Sequence, residues 1–312
     1  MAVATRAVLA EPATFQIEPR ESAGQSGPRA DAWRQLRRDG LTLAALALLL
    51  SILALAAAAD LLAGSVFHYT STQQDLANAY ARPDVSVPAL WLGTDEIGRS
   101  QAVRLLYRAR VSLAVGFGAA FLNLLLGIVL GLAAGYFGGW VDDVVQYLVS
   151  TLNSIPRLFL LLLFAVLFSP GPVLLIVVLA VLAWPHVALF VRGQTLSLRE
   201  REFVMAAHVI GASHARIMFR QILPNVLPLI FVLLAIDVGT IILAESALSF
   251  LGLGINPPTP SWGNMLSNAA SNLSRGPWLV FGPGVAIFLT VLCLYLIGDG
   301  LRDALDPRLK RD

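Results

Sequence analysis

Long uncharged apolar runs, recurring along the whole chain, limit this sequence more than any other feature. A helix crossing a hydrocarbon core roughly 30 Å thick needs about 20 apolar residues, each rising 1.5 Å. Six segments meet that demand: Leu41 to Phe67, Val111 to Phe137, Val144 to Phe168, Val173 to Val191, Asn225 to Leu251 and Trp278 to Ile297. With 57% hydrophobic and 13% charged residues, against about 25% charged in a soluble domain, water cannot wet most of the surface. The runs predict an all-α polytopic membrane protein with six transmembrane helices. They exclude a disordered protein, a disulfide scaffold and an ordinary cytosolic enzyme.

Residues 1–40, with Pro12, Pro19 and Pro28, are too polar and broken to build a core. They read as a disordered cytoplasmic tail before a first transmembrane helix over 41–67. That helix ends in Ala54-Leu-Ala-Ala-Ala-Ala59, but its long leader and 19 uncharged residues before Asp60 favour an uncleaved anchor over a signal peptide. Residues 68–110 read as an extracytoplasmic segment with a helix lying on the membrane surface over Arg99 to Arg110. A core of five further helices over 111–304 follows, interrupted by a cytoplasmic loop over 192–221, and residues 305–312 form a cytoplasmic tail. With the N-terminus inside, thirteen basic residues near the spans (from Arg29 on) face the cytoplasm and six face out, so both termini are placed in the cytoplasm.

The 22 basic residues are 21 arginines and Lys310. A phosphate-binding Gly-x-x-x-x-Gly-Lys therefore cannot be written, and nucleotide hydrolysis by that route is excluded for this chain. The single cysteine, Cys293, excludes an internal disulfide and any CxxC site. The four histidines (His68, His186, His208, His214) lack metal-ligand spacing, so no metal site is expected. A net charge of +2 gives no footprint for nucleic acid.

Several spans carry interruptions. Gly127, Gly131 and Gly135 recur at every fourth position, a spacing that bares one helix face for close approach of a neighbour; glycines facing lipid are the alternative. Pro156 removes a backbone hydrogen bond and is expected to kink the third span. Beside it Arg157 either snorkels to the near boundary, the favoured placement, or faces an aqueous cavity. His186, after Trp184 and Pro185, reads as a hydrogen-bonded packing residue. Asp237 and Glu245 lie eight positions apart in the fifth span, on roughly one half of the helix. Intramembrane acids mark ion or solute paths, so both are candidates for a translocation path, with a structural role favoured over an ion relay.

The loop between the fourth and fifth spans carries the clearest pattern. Phe203, Ala206, Ala207 and Ile210 fall at i, i+3, i+4 and i+7, an apolar stripe on a short helix that starts near Glu202. Gly211 suits a left-handed stop, and a second short amphipathic helix runs on to Leu223-Pro224. This helix-glycine-helix elbow, with two alanines small enough to sit deep in a partner's groove, suits docking from the cytoplasm. An amphipathic loop resting on lipid headgroups is the alternative.

The same segment resembles the loop signature of ABC-importer permeases, Glu-Ala-Ala-x3-Gly-x9-Ile-x-Leu-Pro. Ala206, Ala207, Gly211, Leu223 and Pro224 match its spacing, while Met205 stands at its Glu and Gln221 at its Ile. Three further stretches are similar to the C-type, second subunit of the dipeptide, oligopeptide and nickel branch. They are Leu92-Gly-Thr-Asp-Glu-Ile-Gly-Arg99 with Ala109-Arg-Val-Ser-Leu113, Glu245-Ser-Ala-Leu-Ser-Phe-Leu-Gly-Leu-Gly254 with its continuation to Leu266, and Gly298-Asp-Gly-Leu-Arg-Asp-Ala-Leu-Asp-Pro307. Ser100 and the Tyr147 and Ser150 positions depart from that branch.

The resemblance implies a type I ABC importer transmembrane fold in a bacterial inner membrane. It implies a permease subunit for di- or oligopeptides, with nickel or glutathione as alternatives within the family. An ion-coupled secondary transporter using Asp237 and Glu245 is the alternative from another class. The implied partners are a second permease subunit, two cytoplasmic ATPases that hold the ATP and Mg, an extracytoplasmic solute-binding protein and the bilayer. No cofactor is expected on this chain. The elbow residues Glu202, Phe203, Met205, Ala206, Ala207, Ile210, Gly211, Leu223 and Pro224 are implied to dock the ATPase, and Asn256 to Trp262 to cap the outer side.

Overall fold

The computed structural model describes residues 34–168, 171–255 and 261–305. The expected disordered tail lies outside them except for 34–40, as do most of the outer cap and of the C-terminal tail. Among the described residues the structure is helical, with a single isolated bridge between Thr94 and Ser100.

Five helices are long and apolar enough to cross a bilayer when the turns before Leu223 are counted with the helix they feed. Helix α1 spans Gly40–Ala57 and α2 Gln101–Phe137. Two shorter helices follow, α3 over Gly139–Asn153 and α4 over Arg157–Phe168. Next come α5 (Pro172–Arg199), the short α6 (Glu202–Val209), α7 (Leu223–Phe250), α8 (Trp262–Ser271) and α9 (Trp278–Leu305).

The third expected span is not one kinked helix. Helices α3 and α4 meet at 79° across residues 154–156. At 1.5 Å per residue they are about 22 and 18 Å long, so neither crosses alone. The packing decides what the pair does. Gly118 faces Ile176, Gly127 faces Val187, Gly131 faces Ala188 and Val191, and Gly135 faces Thr195. Numbers rise together on both sides, so α2 and α5 run parallel, and the chain between them must return to the starting side. The α3–α4 pair therefore makes one crossing, and the described residues make six. Pro156 lacks the N–H that would continue the ladder, and the chain turns there.

The pairs α2–α7, α7–α9 and α1–α9 run antiparallel. Asn123 meets Asp237 and Ser112 meets Glu245 between α2 and α7; Gly239 lies against Leu294 and Gly298 against Ile236 between α7 and α9. Thr42 Oγ1 lies 3.4 Å from the Leu296 carbonyl oxygen, and Gln35 Nε2 donates to the Asp303 carbonyl (3.2 Å). The starts of α1 and the end of α9 thus share one side with α6. Asp39 caps α1 by accepting from the amides of Leu41 (3.0 Å) and Thr42 (3.3 Å) and from the Thr42 hydroxyl.

The expected surface helix is absent as a separate element: residues 101–110 are the opening turns of α2. Ser100 accepts from the Val103 amide and starts that helix, which at about 55 Å overshoots the hydrocarbon. Its arginines are consumed by partners. Asp95 is 2% exposed and receives Arg104, Arg99 Nε (2.7 Å) and the amides of Ile97 and Arg99. Arg108 Nη1 reaches Asn264 Oδ1 (2.5 Å) and the Ser261 carbonyl. Arg110 pairs with Asp60 (2.8 Å) and donates to the carbonyls of Ala56 and Ala57 at the end of α1. The short helix Ala59–Leu62 and the wide turn Ala63–Phe67 carry α1 on to that site.

The three glycines of α2 form its seam with α5. A Cβ on Gly131 would lie 2.6 Å from the Ala188 carbonyl oxygen, and one on Gly135 2.7 Å from Thr195 Cβ; one on Gly127 would fall on Val187. The seam belongs to this chain, so these glycines do not face lipid.

Candidate functional site

The elbow is an extension of α5. That helix runs about 42 Å, past the hydrocarbon, and its last residue Arg199 donates to the carbonyls of Tyr136 (3.1 Å) and Gly135 (3.4 Å) at the end of α2. A cation on the last carbonyls of a helix satisfies acceptors that have no helical partner. The chain then turns into α6.

Val204 and Ala207 pack α6 onto the body, and His208 reaches the Tyr136 hydroxyl. Val204 is fully buried and Ala207 5% exposed, in a cluster with Tyr136, Val191, Ile217 and Ile222. The expected stripe of Phe203, Ala206, Ala207 and Ile210 is therefore split: Ala207 turns in, Phe203, Ala206 and Ile210 turn out, and the unforeseen Val204 is the anchor. Outward-facing Val209 and Ile210 are 87% and 83% exposed, with Phe203 and Met205 about half exposed beside them. Glu202 is exposed in the first turn, whereas Leu223 and Pro224 open α7 half-buried and do not join this face.

Gly211 ends α6 at φ +78°. Its amide donates to the His208 carbonyl and that of Ala212 to the Ala207 carbonyl, both at 3.0 Å, the paired bonds of a Schellman stop. The expected second helix is one short turn, His214–Arg216, capped by Ser213 and followed by a wide π turn over Ile217–Ile222. The Tyr136 hydroxyl holds both sides of the elbow, 2.8 Å from His214 Nδ1 and 3.3 Å from His208 Nε2. A cleft of about 270 Å³ beside α6 is edged by Gly211, Arg216 and Arg220. Apolar knobs with a cationic rim at the end of a long helix suit a groove with an acidic edge.

The two acids of the fifth span part company. Glu245 is fully buried, accepting from Ser249 Oγ (2.7 Å) and Ser112 Oγ (3.2 Å). Ser112 in turn accepts from the Trp262 amide (3.0 Å), and Trp262 Nε1 donates to the Leu105 carbonyl (3.1 Å). Glu245 thus ties α7 to α2 and α8 and does not face a path. Asp237 is half-buried at the middle of α7, with Oδ2 accepting from Asn123 Nδ2 at 2.8 Å. Arg157 is half-buried with its Nε and Nη2 shut inside the chain, not extended to a boundary, and His186, exposed on α5, is not a packing residue. Asn123, fully buried in α2, went unremarked in the sequence because a lone amide in an apolar run has no periodicity.

Comparison with known proteins bears on these features. Residues 127–311 match the family model "Binding-protein-dependent transport system inner membrane component", and residues 27–83 match "N-terminal TM domain of oligopeptide transport permease C". The dipeptide transport system permease protein DppC of Alkalihalophilus pseudofirmus is 37% identical over 292 residues, 94% of each chain. The oligopeptide transport system permease protein OppC of Escherichia coli K12 is 41% identical over 276 residues, 88% of this chain and 91% of the relative. The glutathione transport system permease protein GsiD of Salmonella typhimurium is 40% identical over 286 residues, 91% of each. A solved inward-facing form of the MetNI methionine ABC transporter aligns with a TM-score of 0.51 at 22% identity, covering 64% of this chain and 95% of that one; the likeness shows the shared fold. These relatives are permeases, not ATPases, and nothing among them supports an ion-coupled carrier. The chain accordingly belongs to the binding-protein-dependent transport system inner membrane components, as a C-type permease of ABC importers.

Proposed function

We propose that this chain forms half of the membrane path of an ATP-driven importer for di- and oligopeptides in a bacterial cytoplasmic membrane, with both termini and the elbow in the cytoplasm. Full-length relatives named as dipeptide and oligopeptide permeases support the cargo. Glutathione, itself a tripeptide, is a second reading supported by a relative of equal similarity.

The observation that carries the assembly is the outward apolar face of α6, with Val209 and Ile210 four-fifths exposed on the side where the start of α1 and the end of α9 lie. Such a face, clamped by Tyr136 and the α5 terminus, suits a partner that pushes on it. In this reading two cytoplasmic ATPases hold the ATP and Mg, a second permease subunit completes the path, and an extracytoplasmic binding protein delivers the solute. Closure of the ATPase pair moves the elbow and shifts the bundle between outward- and inward-open populations.

The test is a charge on the exposed face. Ile210→Asp and Val209→Asp leave the buried anchor Val204 untouched, so the chain folds; in the reconstituted complex both are expected to cut binding-protein-stimulated ATP hydrolysis and peptide uptake at least tenfold. Undiminished coupling would remove α6 as the docking element.

A further inference from the structure

The side of the bundle opposite α6 carries an unbalanced charge. A cavity of about 500 Å³ there is lined by Arg99, Arg104, Arg108 and Arg110. Ser71, Thr72 and Gln74 complete the wall, and among the described residues no carboxylate lines it. Three of the four arginines are matched: Asp95 and Glu96 take Arg99, Asp95 also takes Arg104, and Asp60 takes Arg110. Arg108 has no such partner. It is 9% exposed, and its bonds to the chain run from Nη1 alone, to the neutral oxygens of Asn264 and Ser261. Nε and Nη2 bind nothing among the described residues, yet neither is shut inside the chain. These two nitrogens form the edge of a guanidinium whose N–H bonds run parallel, the fork that fits two oxygens of a carboxylate or phosphate. Residues 256–260, which precede Ser261, read Asn-Pro-Pro-Thr-Pro and bring no acid. A cation nine-tenths withdrawn from water without a counter-charge is costly, so the cavity calls for an anion.

The depth and the edge of the bundle say which anion. Helix α1 starts on the α6 side and is about 27 Å long, so its last turn lies at the opposite boundary of the hydrocarbon. Arg110 grips that turn through the carbonyls of Ala56 (2.6 Å) and Ala57 (2.8 Å), and the Tyr107 hydroxyl donates to Asp60 (2.7 Å) just beyond it. The cavity therefore stands at the level of lipid headgroups, where tyrosines collect. It also stands at the rim of the bundle, because α1 packs on α9 and α2 and turns Leu43, Leu48, Leu50 and Leu55 outward. We infer that this cavity binds the phosphate of a phospholipid with net negative charge, two of its oxygens held by Arg108 Nε and Nη2. The remaining phosphate oxygens can accept from the hydroxyls of Ser71 and Thr72. A zwitterionic headgroup would bring an ammonium among four cations, so a glycerol headgroup is preferred.

The experiment is native mass spectrometry of the complete, delipidated permease–ATPase complex titrated with dioleoyl-phosphatidylglycerol, dioleoyl-phosphatidylethanolamine or inorganic phosphate. The wild type is expected to hold one phosphatidylglycerol about tenfold more tightly than phosphatidylethanolamine, the worth of one charge-assisted hydrogen bond. Arg108→Gln should abolish that preference, and Arg108→Lys should keep part of it. Gln74→Glu, on the exposed wall, brings a carboxylate to the cavity and should abolish the preference with the Arg108 contacts to α8 left in place. Arg82→Gln, an exposed arginine that does not line the cavity, should leave it whole. The same spectra show whether each variant is assembled, and Gln74→Glu decides the matter if Arg108→Gln is not. Equal affinity for the two lipids, or a preference that survives Gln74→Glu and Arg108→Gln, would overturn the site. Displacement of the tightly held lipid by millimolar phosphate would overturn the lipid as its occupant and assign the cavity to a soluble anion.

Discussion

The α2–α5 seam can be tested one methyl group at a time. Gly131→Ala places a Cβ 2.6 Å from the Ala188 carbonyl oxygen and 2.9 Å from Val191 Cβ. The first of these is backbone in the middle of α5 and cannot rotate away. Reaching ordinary van der Waals contact, which begins near 3.4 Å, requires the helices to part locally by about 0.8 Å. A gap of 0.5–1 Å forfeits roughly a quarter to a half of each dispersion contact, and overpacking of this kind costs about 1–3 kcal/mol. Gly284→Ala in α9 is the matched control, since nothing lies within 4 Å of its added Cβ. We expect Gly131→Ala to destabilise the purified chain by about 2 kcal/mol and Gly284→Ala to fall within about 0.5 kcal/mol of wild type. Chemical unfolding in mixed micelles measures both. Equal stability of the two variants would refute the close parallel seam, and with it the count of six crossings.

Other outcomes follow from single positions. Gly211→Ala meets no neighbour, so its penalty is the left-handed backbone alone, about 1–2 kcal/mol; hydrogen exchange of the α6 amides should speed up about 5–30-fold while the bundle's unfolding stays unchanged. Glu245→Ala strands two serine hydroxyls and opens a hole, and is expected to cost about 2–4 kcal/mol. Glu245→Gln keeps an acceptor and should retain both fold and transport, whereas a proton relay would lose transport. The Thr42 hydroxyl, with the amides of Thr42 and Leu41, holds the Asp39 carboxyl below the ordinary carboxylate range. Because its folded value is depressed, its contribution to α1 is complete above about pH 4 and is lost as pH falls through the folded value. Amide protection at Leu41 and Thr42 should fall in acid for the wild type, stay flat for Asp39→Asn, and be low at every pH for Asp39→Ala.

The crossings were legible because about 20 apolar residues in a row have few other uses, and the glycine spacing of α2 named its packing face. What escaped was set by partners distant in sequence. Arg104 and Arg108 read as charges that must stay at a surface, yet Asp95, Asn264 and the Ser261 carbonyl receive them, so α2 starts ten residues earlier than expected. The stripe on α6 was periodic in the right way, but periodicity does not say which side faces the body; Val204, set between two stripe positions, won because the α5–α7 surface lies beneath it. Arg157 and His186 sit in apolar runs whose local pattern gives no sign of what surrounds their side chains, because the neighbouring helices come together only on folding.

The seam of glycines has a mechanical consequence for the elbow. Two helices locked backbone to backbone behave as a single stiff beam, and α6 is bolted to its end through Arg199, Tyr136 and the two histidines. A push on α6 finds no slack before it reaches the far side of the bundle. The compliant joint must then lie off the beam, and the one sharp bend in the described crossings is at residues 154–156, with Arg157 on its far lip. A stroke delivered at the elbow would swing the beam about that joint, and the guanidinium would ride on the fulcrum.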